Sequence, residues 1–171
     1  KRQAYLRCIP NMVICTPSDE NETRKLLTTA YLHNGPASVR YPRGTGPNSN
    51  VDKDLKPLKI GEANIINEGS SEIVILNFGT LLNEANQISK ELKATLVDMR
   101  FVKPLDEKLL RKLFKKAKVF ISIEDGSIMG GAGSAVQEFT SKENLNVRSI
   151  LFGIPDKFIE HASREEMLVE A

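Results

Sequence analysis

Nowhere in the 171 residues does an apolar run reach the length of a membrane span or of a signal-peptide core. Charge of one sign is also lacking. With 24 Lys and Arg against 22 Asp and Glu the formal net charge is +2, and the charges are interspersed apart from Lys115-Lys116-Ala117-Lys118. Such a balance implies no polyanion as partner, and the short basic run reads as the last turn of a helix, where cations complement the dipole. The two cysteines, Cys8 and Cys15, match neither a CxxC redox pair nor a zinc knuckle, and read as buried, reduced thiols. The two histidines, His33 and His161, have no Ser, Cys or Asp at triad-like placement, so both read as surface residues. No internal repeat is visible.

What is present is a core-forming α/β pattern. At 40% hydrophobic residues the chain can bury a real core, and its length suits one domain plus a piece of another. A first residue that is Lys and an end at Arg164–Ala171 without a C-cap read as an excision from something longer. Residues 1–10 read as the end of a helix stopped by Pro10, and Met12–Cys15 as a short strand. Thr16-Pro17 reads as an N-cap followed by proline at the first helical position. The helix to about Leu32 would present Leu26, Leu27, Ala30 and Tyr31 inward. Residues 45–59 have hardly an apolar side chain and read as a linker. Beyond it, Ile60–Ile66 reads as an edge strand, and Ile73–Phe78, Thr95–Met99, Val119–Ile123 and Val147–Phe152 as buried strands. They alternate with helices around 81–92, 105–117 and 134–140 and one begun near Ser163. The fold class is α/β, a doubly wound and mostly parallel sheet.

Three constellations could carry chemistry. Gly35–Gly44 reads as a strand entered through Gly-Pro and stopped by Pro42-Arg43-Gly44, which delivers the Arg43 guanidinium beyond a strand's carboxyl end, where open α/β sheets hold ligands. Arg43 can clamp a phosphate with its planar fork, or pair with a carboxylate; Arg40 reads as a structural ion-pair or interface residue. Gly130-Gly131-Ala132-Gly133-Ser134 opens a helix after a strand, but the third glycine of GxGxxG would fall at Val136, so a tight, closely packed turn is favoured over a phosphate cradle. Asp98, Glu124, Asp125 and Asp156 all fall near strand ends. They could in principle hold a metal, but salt bridges or caps are favoured, with Arg100, Lys103 and Arg148 as available partners.

Five strings occur in one order: Tyr5–Pro10, Thr16–Glu22, Ser38–Gly44, Val97–Asp106 and Ile128–Ser134. Together they resemble the 1-deoxy-D-xylulose-5-phosphate synthase family, thiamine-diphosphate enzymes of the transketolase superfamily. The resemblance implies that 1–45 ends a pyrimidine-binding domain with its last strand, helix and strand, that 46–59 is a linker, and that 60–171 is a transketolase C-terminal domain cut short. It implies condensation of pyruvate with glyceraldehyde 3-phosphate with loss of CO2, feeding isoprenoid, thiamine and pyridoxal synthesis. Arg43 matches the family's contact to the aldehyde's phosphate, and Glu124 could lie at a dimer contact. The family's diphosphate- and Mg2+-binding motif and its activating glutamate have no match here. No catalytic, cofactor-binding or metal-binding residue is therefore expected in 1–171, and thiamine diphosphate and Mg2+ are expected only in the complete enzyme. The implied partners are small-molecule substrates and a second copy in a homodimer, in bacterial cytoplasm or plastid, with no nucleic acid or membrane. Alternatives are another transketolase-like enzyme, or a segment serving only dimerisation.

Overall fold

Alternation sorts the apolar residues of the second half onto two faces of one sheet. In the computed structural model, which describes residues 2–42 and 46–156, strand β4 (Ile73–Phe78) turns Val74, Leu76 and Phe78 to one side and Ile73 and Ile75 to the other. The first side is covered by α4 (Glu107–Phe114) through Leu110 and Phe114, and by α5 (Ala132–Lys142) through Val136 and Phe139. The second is covered by α3 (Leu82–Glu91) through Ala85. This is the period of two expected of strands buried on both faces.

With β3 (Asn64–Asn67), β5 (Thr95–Asp98), β7 (Val119–Ser127) and β8 (Arg148–Ile154), the sheet order is β3-β5-β4-β7-β8. Among the described strands β3, at the edge, runs antiparallel and the other four run parallel. The expected doubly wound, mostly parallel sheet is therefore observed. Asp106 caps α4 by accepting the Leu109 N–H at 2.9 Å, and its other oxygen takes the Ala63 N–H at 3.0 Å, tying the entry to β3 to the same helix.

The first unit holds α1 (Arg2–Leu6), β1 (Val13–Cys15), α2 (Glu20–Leu32) and β2 (Ala37–Val39), with β1 and β2 parallel. Its sheet is completed from outside. Strand β6 (Phe101–Lys103), only two residues beyond β5, pairs antiparallel with β1 and gives the order β2-β1-β6.

Three expectations about this unit fail. The helix starts at Glu20 with Asp19 as N-cap, because Thr16 is engaged elsewhere: its N–H donates to the Arg100 carbonyl at 2.8 Å. Leu27 and Tyr31 point outward, 45% and 88% exposed, while Leu26 and Thr29 are buried. The helix turns Thr29 inward because its hydroxyl accepts the Leu58 N–H at 2.7 Å. Cys8 lies beyond α1 and is exposed, whereas Cys15 is fully buried and its thiol is pushed up to about 12 by that burial.

Residues 46–59 run against α2 and are held by polar contacts rather than by a core. The Glu20 carboxylate accepts the Asn48 N–H, Asn21 accepts the Asp52 N–H, and Lys25 pairs with Asp52 at 2.9 Å. Leu58 and Ile60 then reach the small core under Leu26 and Phe101.

Leu76 is fully buried between β4 neighbours and the α4–α5 face, so Leu76→Ala should destabilise the chain by about 3 kcal/mol. Urea unfolding would measure this, and a loss under about 1 kcal/mol would contradict the packing described.

Candidate functional site

In a doubly wound sheet the ligand crevice opens where successive connections diverge, outside the carboxyl ends of the strands. Here β4 leads to β5 on one side, and the chain then crosses back to β7 on the other, so the crevice lies between the loops after β4 and β7. The first unit fills it. A side chain at Gly79, after β4, would start within 4.0 Å of the Pro17 carbonyl and of Thr16 Cβ, and one at Gly130, after β7, would start 3.0 Å from Ala4 Cβ. Where a free-standing domain would take a small molecule, this chain seats its own loop and helix.

The side chains that fasten this junction come from both units. Arg100 turns at φ +59, a conformation costing on the order of 1–3 kcal/mol for a side-chain-bearing residue. It aims its guanidinium at Glu22 in a bidentate pair of 2.7 and 2.9 Å, with the two side chains 16% and 12% exposed. Ser18 Oγ donates to Asp98 at 2.6 Å. Arg7 donates to the Gly130 and Gly131 carbonyls at 3.1 and 3.2 Å and pairs with Glu138. Lys103 Nζ donates to the carbonyls of Arg7 and Ile9 at 2.8 and 2.7 Å.

The four acids at strand ends do not converge. Glu124 is 2% exposed and accepts the N–H groups of Ala132 and Gly133 at 2.9 and 3.0 Å, so it occupies the amino-terminal pole of α5. Burial pushes its carboxyl up, and those two N–H groups together with Arg40 and Arg7 hold it back. Asp125 faces Arg40 at 3.7 Å, which gives Arg40 an ion pair. Asp98 is 2% exposed and pushed up to about 7, chiefly by burial. Asp156 is exposed. Lys103 serves backbone carbonyls and Arg100 serves Glu22, so neither pairs with these acids.

The glycine loop is a packing device. At Gly131 an added Cβ would lie 2.2 Å from the Ser127 carbonyl and 2.4 Å from a Glu124 oxygen, and at Gly133 2.3 Å from Ser122 Oγ. The N–H groups that a phosphate would need are already taken by the Glu124 carboxylate.

Arg43, Gly44 and His161 lie outside the described residues. Pro42 and Gly46, which flank the segment carrying Arg43, line a cleft of 410 Å³ together with Ser18, Asp19, Ser49 and Thr80. This cleft opens beside the junction, between α2 and the start of α3. A roomier cleft of 690 Å³ lies far from it, between the turn before β4 and Lys112–Ala117. His33, expected at the surface, is the half-buried C-cap of α2.

The junction residues Arg7, Ser18, Glu22 and Arg100 all fall inside the strings that carry the resemblance, yet no spacing within one string announces a partner on another.

The pairing of a strand-helix-strand unit with a doubly wound sheet defines a two-domain α/β architecture, and family comparison places it. Residues 61–171 match the family model described as transketolase, C-terminal domain, and residues 1–48 match that of the transketolase pyrimidine binding domain. The chain belongs to the transketolase family.

Within that family, curated relatives similar to this chain are named 1-deoxy-D-xylulose-5-phosphate synthase. The protein of Pseudomonas fluorescens strain Pf0-1 is 52% identical over 167 residues, and that of Stutzerimonas stutzeri strain A1501 is 54% identical over 168. Each match takes in 98% of this chain but 26% of the relative, so the chain spans about a quarter of their length. Among solved structures, a split-gene transketolase described as an inactive beta4 tetramer superposes with a TM-score of 0.83 at 29% identity, over 92% of this chain and 53% of that one. A Campylobacter jejuni transketolase superposes at 0.68 with 18% identity, over 98% of this chain and 25% of that one, a likeness of fold.

Two measurements test the junction. Glu22→Gln should lose about 2 kcal/mol, because it leaves a largely buried guanidinium without its carboxylate, and urea unfolding should show it. Gly131→Ala should cost about 2 kcal/mol by the same assay, since its φ of −76 suits alanine and only the crowding by Ser127 and Glu124 opposes it. A neutral Gly131→Ala would show that the loop is not packed as described.

Proposed function

We propose that this chain is part of a 1-deoxy-D-xylulose-5-phosphate synthase, the enzyme that condenses pyruvate with D-glyceraldehyde 3-phosphate with loss of CO2. One observation carries the reading: identity of 52% over 98% of the chain to proteins of that name, a range that includes the Ser38–Gly44 string. The reaction is a transfer of a two-carbon unit, and its product would serve isoprenoid, thiamine and pyridoxal synthesis. In this reading 1–45 closes a pyrimidine-binding domain, 46–59 links, and 60–171 belongs to the C-terminal domain. The complete enzyme would work as a homodimer in bacterial cytoplasm or plastid. Among the described residues no helix is long and apolar enough to cross a membrane.

Thiamine diphosphate supplies the carbon–carbon chemistry in such enzymes, with Mg2+ holding its diphosphate. The described residues do not fit that pair. No three His, Cys, Asp or Glu side chains among them are grouped to hold a metal, and Asp98 and Glu124 already receive a hydroxyl and two amides. We assign both groups to the part of the relatives' length that this chain does not span, and derive no step through them. Residues 1–171 alone should neither release CO2 from pyruvate nor bind the cofactor tightly. The split-gene transketolase described as an inactive beta4 tetramer, 53% of which this chain covers, offers a parallel.

Arg43 is the residue to which we assign substrate contact. Its fork would take two phosphate oxygens of glyceraldehyde 3-phosphate and so orient the aldehyde, an interaction that acts through positioning. In the complete gene product with thiamine diphosphate and Mg2+, CO2 release should depend on the aldehyde. Arg43→Ala should raise the KM for glyceraldehyde 3-phosphate roughly 10- to 100-fold with a smaller effect on the KM for pyruvate. Release indifferent to the aldehyde would move the chain to another branch of the family. A variant with unchanged KM would return Arg43 to a structural role.

A further inference from the structure

Asp98 ends β5 just where the chain leaves the larger sheet for the smaller one, and it is sealed there at 2% exposure. A carboxylate so placed needs either a cation or several donors. Among the described residues Asp98 has neither free to it. Oδ2 receives one hydroxyl, from Ser18 at 2.6 Å, while Oδ1 is buried with no hydrogen-bond partner among those residues. The nearby cation is committed, because Arg100 gives two of its donors to Glu22. Directly across the ladder, Asp98 is in register with Asn77. Asn77 donates its amide to the Gly79 carbonyl at 2.7 Å and keeps a buried Oδ1 without a donor. Two residues in register across the ladder thus each carry a buried acceptor that lacks a hydrogen among the described residues, and protonation of Asp98 adds a donor there.

We propose that Asp98 is held as the neutral acid in the assembled junction, so that the contact between the Thr16-Pro17-Ser18 loop and the larger sheet is a proton-operated latch that loosens when Asp98 ionises. The groups facing it from the packed elements agree. Glu22 on α2 disfavours a second negative charge, Arg100 favours one but is neutralised by Glu22, and the Ser18 and Asn77 side chains offset burial only in part. Together they leave the carboxyl at about 7, with burial the main cause, so the latch operates around neutrality.

The sign follows from the raised value. The folded chain binds a proton that the unfolded chain has released, so stability from this group falls as pH rises from the ordinary carboxylate range through about 7. The test uses the 171-residue chain with carbon-13-labelled carboxyls. In the NMR titration Asp98 should change charge near neutrality. Between about pH 5 and pH 7 its unfolding constant in urea should rise on the order of 50-fold more than that of Asp98→Asn, in which the group cannot ionise. Protection of the Thr16 amide, corrected for intrinsic exchange, should fall over the same range in the parent and not in Asp98→Asn. Ser18→Ala removes the hydroxyl that favours the charged form and should move the Asp98 midpoint upward, so it decides the matter even if Asp98→Asn fails to fold. An Asp98 midpoint among ordinary carboxylates, or a Ser18→Ala midpoint that moves down, overturns the proposal, as does an equal pH slope in the parent and Asp98→Asn.

Discussion

The run from Thr95 to Lys103 belongs to two sheets at once, and the rest of the chain is arranged around that sharing. It supplies the parallel neighbour of β4 as β5, turns through Met99 and Arg100, and then supplies the antiparallel neighbour of β1 as β6. The Phe101 N–H closes back on the Met99 carbonyl, so the change of sheet takes place in three residues with Arg100 at its centre. A turn that tight leaves no spare residue between the two strands. The Glu22 pair holds Arg100 in a backbone region that it would otherwise avoid, and the Arg100 carbonyl in turn receives the Thr16 N–H. Loosening Arg100 would therefore disturb the start of α2 and the edge of the small sheet together.

The second fastening, at the other loop of the crevice, is built on opposite principles. At the β5–β6 turn a charged pair fixes a strained backbone; at Gly130–Gly133 the backbone itself is the recognition element. Arg7 reads two loop carbonyls, and Glu124 reads two N–H groups from the other side, which leaves no room for side chains at Gly131 or Gly133. A glycine loop that opens a helix after a strand suggests a cradle for a phosphate. Here the anion that satisfies the loop is covalently part of the chain.

Periodicity made most of the larger sheet legible in advance. Ile73–Phe78 and Val119–Ile123 are near-continuous apolar runs, each broken by one polar residue, and runs of that kind have few uses other than a strand covered on both faces. The small sheet was legible only in part. Phe101-Val102 is too short a run to read as a strand, and its partner Ile14 lies 89 positions earlier by the Ile14–Lys103 pairing, which no local pattern encodes. The helix face was misjudged for a related reason. Leu27 and Tyr31 are more apolar than Thr29, but Thr29 is selected by a hydrogen bond to Leu58, in a stretch that reads from composition as a bare linker. Glu124 stood out as a strand-end acid, but its use as the cap of α5 depends on Gly131 and Gly133 letting the helix start close to it.

Two buried carboxyls at the ends of adjacent-but-one strands show how the same burial leads to different behaviour. Both Glu124 and Asp98 are 2% exposed, and burial raises both. Glu124 meets two backbone donors at a helix's positive pole with two arginines nearby, an environment organised for a charge. Asp98 meets one hydroxyl, an amide already committed, and a cation already paired. Donors and arginines around Glu124 hold its raised carboxyl back, whereas the satisfied groups around Asp98 set little against its burial. The junction thus contains one buried acid ringed by donors and one that the proposed latch makes pH-sensitive, and they sit at opposite sides of the crevice. If the sensitive one loosens, the seat of the β1–α2 loop shifts while α1 stays anchored through Arg7. The segment displaced would be the one leading, through Ser18 and Asp19, into the cleft flanked by Pro42 and Gly46.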